Sequence, residues 1–143
     1  MELFRERILK VLFILIWILA LLHMSAEYFY LYFLFKWFDL IPHFLGGVWV
    51  GLGGIWLWYF SGHFGDVRLP KRRALFVSVF FGIMIGFIWE FYEYLIRIFA
   101  ASGFPANYMF DSILDLIMDI IGSIAGFFTF KYVTRDLSLH EDI

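Results

Sequence analysis

The residues able to do chemistry stand at helical spacings. Asp39 and His43 are four apart, Glu90 and Glu93 are three apart, and Asp111, Asp115 and Asp119 form a ladder in steps of four. Residues three or four apart share one face of a helix, so each group presents its side chains in one direction. Carboxylates with one imidazole are the donor set of hard and borderline divalent cations: Mg²⁺, Mn²⁺, Ca²⁺, Zn²⁺ or iron. The chain has no cysteine, which excludes thiolate sites and disulfides. Protonated, the same carboxyls would serve a proton or ion pathway instead.

The surroundings of these groups are apolar. The 143 residues are 63% hydrophobic and 24% aromatic, with mean hydropathy +0.83, values that fit a polytopic membrane protein rather than a soluble domain. An ionisable group at membrane depth costs roughly 2.5–3.5 kcal/mol on insertion scales, so a cluster of them points to function. Several carboxylates in a low dielectric repel one another until protons, a metal ion or a cationic ligand balance them.

The elements that must position them are four membrane-spanning helices in one domain, residues 1–143. The first covers about 8–25; the basic Arg5, Arg7 and Lys10 precede an apolar run with no A-x-A-like cleavage site, so the helix is retained rather than removed as a signal peptide. Residues 26–38 are dense in aromatics and would overshoot the bilayer as a continuation of that helix, so they read as an interfacial segment. The second helix covers about 42–60, with Pro42 in its first turn. The third runs from about 74 to 99 and the fourth from about 109 to 132. The expected fold is an all-α bundle.

Charge distribution orients the bundle. The amino terminus, the 61–73 loop and the carboxyl tail hold nine of the eleven Lys and Arg, which the positive-inside rule assigns to the cytoplasm. The opposite end carries Glu27, Asp39, Glu90, Glu93, Asp111, Asp115 and Asp119 against Lys36 and Arg97, a net charge of −5. The expected location is the plasma membrane, multi-pass, with both termini cytoplasmic and an acidic cavity facing outside.

Each acidic face continues into glycines. The second helix reads Asp39, His43, Gly47, Gly51; the third Gly82, Gly86, Glu90, Glu93; the fourth Asp111, Asp115, Asp119, Gly122, Gly126. Each holds a GxxxG spacing that lets membrane helices approach closely. The simplest arrangement turns the three faces together, with acids lining a cavity above packed glycines. His23 and Glu27 of the first helix would reach the same level. Asp39 and Asp111 lie near helix starts and could serve as N-caps; Arg97, four residues from Glu93, is placed for an ion pair. His63 and His140 read as solvated surface residues. The basic residues at 68–73 read as an orientation signal and a contact for anionic lipid headgroups, and nucleic acid is not an expected partner.

Asp39-x-x-x-His43-Phe with following glycines, Glu90-x-x-Glu93, and Asp111-x-x-x-Asp115-x-x-x-Asp119-x-x-Gly122 resemble the pattern of the YjdF-like family of small membrane proteins. The match covers about half the chain. More distantly, the layout resembles VanZ-like proteins, named for resistance to a glycopeptide antibiotic acting on cell-wall lipid precursors. That pattern has an amide where this chain has Glu93 and Asp119, which makes this site more acidic. Asn107-x-x-x-Asp111-x-x-x-Asp115 also resembles the NxxxDxxxD of UbiA-type prenyltransferases, which hold Mg²⁺-diphosphate. The second Asp-rich helix of that fold is lacking, and 143 residues are too few for it.

Three functions fit the residues. One is a metal-dependent membrane enzyme acting on a lipid-linked substrate, with His43, Glu90, Glu93, Asp115 and Asp119 as ligands and a spare carboxylate as general base. The second is a cation or proton transporter or channel subunit, which would need a homo-oligomer because the glycine-rich inner half has no polar path. The third is a non-catalytic binder of a lipid or its headgroup, as the VanZ resemblance implies. Membrane lipids are expected partners in all three.

Overall fold

A computed structural model of the chain describes residues 2–63, 71–99, 103 and 106–135. The loop containing Arg68, most of the 101–107 turn and the tail with His140 lie outside the described residues. The elements are α1 (Glu2–Tyr28), α2 (Leu31–Leu34), a 3₁₀ turn (Lys36–Asp39), α3 (Leu40–Phe60), α4 (Lys71–Phe99) and α5 (Tyr108–Thr134). No strand occurs among the described residues. α1, α3, α4 and α5 are each long and apolar enough to cross a membrane. In hydrocarbon a helix is the economical solution, since it satisfies every interior backbone group within its own segment.

The breaks between helices follow from local chemistry. Tyr30 adopts a left-handed φ of 57°, which stops α1 from running on through the aromatic segment. The chain then turns through α2 and the 3₁₀ turn, so residues 31–39 form a separate structure with Phe38 packed inward. α3 ends on Ser61 and Gly62; Gly62 takes φ 79°, the conformation that closes a helix most cheaply when no Cβ is present. The Ser61 hydroxyl donates to the Leu57 carbonyl and accepts the His63 N–H, satisfying groups that the ending helix leaves open.

α3 and α5 run parallel and form the most extensive helix pair, with α4 packed against both and α1 chiefly against α3. The buried share of the apolar window is 33–39% for α3, α4 and α5 but 11% for α1, which makes α1 peripheral. The apolar core lies at the end of the bundle holding the start of α1 and the end of α5. It is built from Ile8, Leu52, Ile55, Ala74, Val77, Phe127 and Phe130, among others. Above it the α3–α5 seam closes on glycine: a Cβ at Gly122 would strike the Phe44 carbonyl, and one at Gly47 would strike the Asp119 carbonyl. Backbone meets backbone there, which only glycine allows.

Candidate metal centre

The seam sets the register of the site. Gly47 of α3 lies against the Asp119 backbone, and Gly86 of α4 lies against the Asp119 carboxylate, so these three occupy one layer. One helical turn further from the apolar core, about 6 Å along each axis, come His43, Asp115 and Glu90. The next turn brings Asp39 and Asp111. One turn in the other direction are Gly51, Gly82 and Ser123, where the Ser78 hydroxyl donates to the Ser123 carbonyl at 2.6 Å.

His43 is the hub. It is 6% exposed, and its two nitrogens face different partners: Nδ1 lies 3.4 Å from both carboxylate oxygens of Asp119, while Nε2 lies 4.0 Å from an Asp39 oxygen. Asp39, His43 and Asp115 each offer one ligand atom, all within 4.8 Å of one another. Asp115 is 3% exposed and its Oδ1 has no hydrogen-bond partner; both oxygens of the buried Glu90 are likewise without one. Buried carboxylate oxygens without donors are expensive, and three of them around one imidazole leave the layer short of positive charge or protons.

The remaining candidates lie around this centre. Asp111 is half-buried in the first turn of α5, one turn beyond Asp115. Asp39 stands at the N-cap position of α3 but makes no capping hydrogen bond, so capping does not account for it. Glu93 is half-buried, and the Trp89 indole N–H donates to it at 3.1 Å. The Arg97 guanidinium lies 5.1 Å over the Tyr108 ring. His23 and Glu27 are exposed, and His23 shares a 2.9 Å hydrogen bond with the Tyr32 hydroxyl. Burial, Asp39, Glu27 and Glu93 push that hydroxyl up to about 12, so Tyr32 stays protonated and sits at the edge of the acidic end.

Sequence spacing passed over two residues here. Ser78 and Ser123 are fully buried polar groups beneath the acids, tying α4 to α5. Ser123 continues the Asp111–Asp115–Asp119 ladder by another step of four, and Ser78 continues the Glu90–Gly86–Gly82 face. That periodicity was the available signal. The glycine faces also do more than join helices. A Cβ at Gly86 would lie 2.6 Å from Asp119 Oδ2, so this glycine makes the space in which the Asp119 carboxylate sits.

A family model described as predicted membrane protein (DUF2238) matches residues 2–136, and the chain belongs to that family. The YjdF-like resemblance is consistent with this match. No curated protein and no solved structure matches the chain.

Proposed function

We propose that this member of the family binds a divalent cation between α3 and α5 and uses it on a lipid-linked or otherwise amphipathic substrate. The observation that carries the reading is the Asp39–His43–Asp115 group, three ligand atoms within 4.8 Å with one Asp115 oxygen unpartnered. His43 would bind through Nε2, leaving Nδ1, which faces the Asp119 carboxylate, to donate to it. A carboxylate behind a ligating histidine fixes the tautomer and raises the basicity of the ring. Asp119 is therefore proposed as a positioning residue rather than a ligand. Glu90, in the same layer, supplies a carboxylate free to take a proton from bound water. Two carboxylates and one imidazole suit Mn²⁺, Fe²⁺ or Zn²⁺ better than Ca²⁺.

Three protein ligands leave coordination positions open, the arrangement of catalytic rather than structural sites. A bound ion there would polarise a phosphoryl or carbonyl oxygen and lower the pKa of a water. Exposed aromatics at the same end (Tyr28, Phe29, Phe33 and Trp37) are suited to headgroup depth, which favours an amphipathic substrate over a soluble one. Transport is the weaker reading, because Leu52, Ile55, Phe127 and Phe130 pack an apolar core beneath the acids. The orientation proposed is acids outward and both termini in the cytoplasm.

Elemental analysis of the purified protein tests this. About one ion per chain is expected, lost in Asp115→Asn and in His43→Ala with helix content retained. Folded protein that takes up no Mn²⁺, Fe²⁺ or Zn²⁺ would overturn the proposal. Ligand retention after chelation, with no turnover, would move the assignment to a VanZ-like headgroup binder.

A further inference from the structure

A second feature lies away from the acids, on the other flank of α3. α1 leans on α3 and stays apart from α4, leaving a lateral groove of about 1030 Å³. Leu12, Phe13 and Ile16 form one wall, Phe81 and Ile85 the other, and Gly53 part of the floor. The volume is at the upper end of small-molecule pockets, about 300–1,000 Å³. Along α1 the lining runs from Glu6 to Ile16, about 15 Å of helix, or half the ~30 Å hydrocarbon layer. A helix from a second copy crosses the whole layer, whereas an acyl chain crosses half of it. The length of the groove therefore favours a lipid tail.

The polar residues on the groove come in a definite order. The apolar walls give way to Lys10, and one turn closer to the amino terminus to Glu6. No ion pair joins Glu6 and Lys10, although they stand four apart on one helix, and both are exposed. Arg5 lies 5.9 Å over the ring of Trp56, which also lines the groove, and this marks headgroup depth at the same end. Among the residues that line the groove, the order moving out of the bilayer is hydrocarbon, cation, anion. An aminophospholipid presents the complement in the same order: acyl chain, phosphate, primary ammonium. A primary ammonium donates hydrogen bonds to a carboxylate, and a quaternary one cannot.

We propose that the groove between α1 and α4 is a binding site for one phospholipid with a primary-amine headgroup, its tail on Gly53, its phosphate on Lys10 and its ammonium on Glu6. The site is separate from the metal centre and does not depend on it. Native mass spectrometry of protein released from nanodiscs of equimolar phosphatidylethanolamine, phosphatidylcholine and phosphatidylglycerol, all with the same chains, tests it. One retained phospholipid per chain is expected, with the ethanolamine lipid favoured over choline about tenfold, the scale of one charge-assisted hydrogen bond. Glu6→Gln should bring that ratio to about one, and Lys10→Gln should lower retention of both alike. A Cβ at Gly53 would have ordinary clearance, 3.7 Å from Leu12, so Gly53→Leu should fit the backbone and expel the lipid from the groove. Equal retention of the two lipids by the parent protein overturns the proposal. So does a lipid-free dimer, or undiminished retention by a folded Gly53→Leu. Should Gly53→Leu fail to fold, the Glu6→Gln ratio decides alone, because Glu6 is exposed and its replacement leaves the packing intact.

Discussion

At the scale of single residues, two aspartates one turn apart are assigned different work. Asp115 belongs to the group able to hold an ion, whereas Asp119 faces the opposite nitrogen of His43. Asp115→Asn should therefore abolish metal uptake. Asp119→Asn should retain it at about 10–100-fold lower affinity, the usual effect of losing the carboxylate behind a ligating histidine; titration calorimetry with Mn²⁺ separates the two. Equal losses would return Asp119 to the ligands. Since the ligands must be deprotonated to bind, affinity should fall as pH is lowered, and metal content after dialysis across a pH series measures it. The ladder Asp111–Asp115–Asp119 and the Asp39–His43 pair were legible in the sequence because helical spacing puts them on common faces. Which nitrogen meets which carboxylate was not legible, because it depends on how far each helix is rotated about its axis. Glu93 illustrates the limit: spacing places it beside both Glu90 and Trp89 on one helix, and only the side-chain conformation decides that it accepts from Trp89.

At the scale of the helices, close approach is specified by a few glycines and not by all of them. A methyl at Gly122 would collide with the Phe44 carbonyl, a backbone atom that cannot move aside, while a methyl at Gly46 would meet nothing within 4 Å. Gly122→Ala should cost about 1–3 kcal/mol through overpacking of the α3–α5 seam. Gly46→Ala should be neutral or stabilising by about 0.5–1 kcal/mol, since alanine loses less backbone freedom in a helix. Denaturant unfolding in detergent checks both, and a similar loss at the two positions would contradict a backbone-tight α3–α5 seam. Gly86→Ala should behave differently again, with its larger effect on metal affinity through the displaced Asp119 carboxylate. The GxxxG spacings announced close helix contacts, but the same spacing describes Gly82–Gly86, where the neighbours are side chains of Ser123 and Asp119. Sequence spacing distinguishes neither case, because the partner atom belongs to another helix.

At the scale of the whole molecule, the separation of charge along the bundle predicts an orientation. The acids gather where α1 and α4 end and α3 and α5 begin, and the described basic residues Arg5, Arg7, Lys10, Lys131 and Arg135 lie at the other end. A polar layer of acids and an apolar core of equal rank on the same helices could be inserted either way by hydrophobicity alone. The bias of Lys and Arg is what selects one insertion. The absence of cysteine makes this directly measurable, because a single introduced thiol is the only one in the chain. Ala106 is exposed in the turn before α5, at the acidic end, and His63 is exposed just after α3, at the basic end. In intact cells a membrane-impermeant maleimide should label Ala106→Cys and leave His63→Cys unmodified until the membrane is opened. The reverse pattern would place the metal centre and its open coordination positions on the cytoplasmic side. A lipid-linked substrate would then have to come from the cytoplasmic leaflet, and the groove beside Lys10 would draw its phospholipid from the outer one.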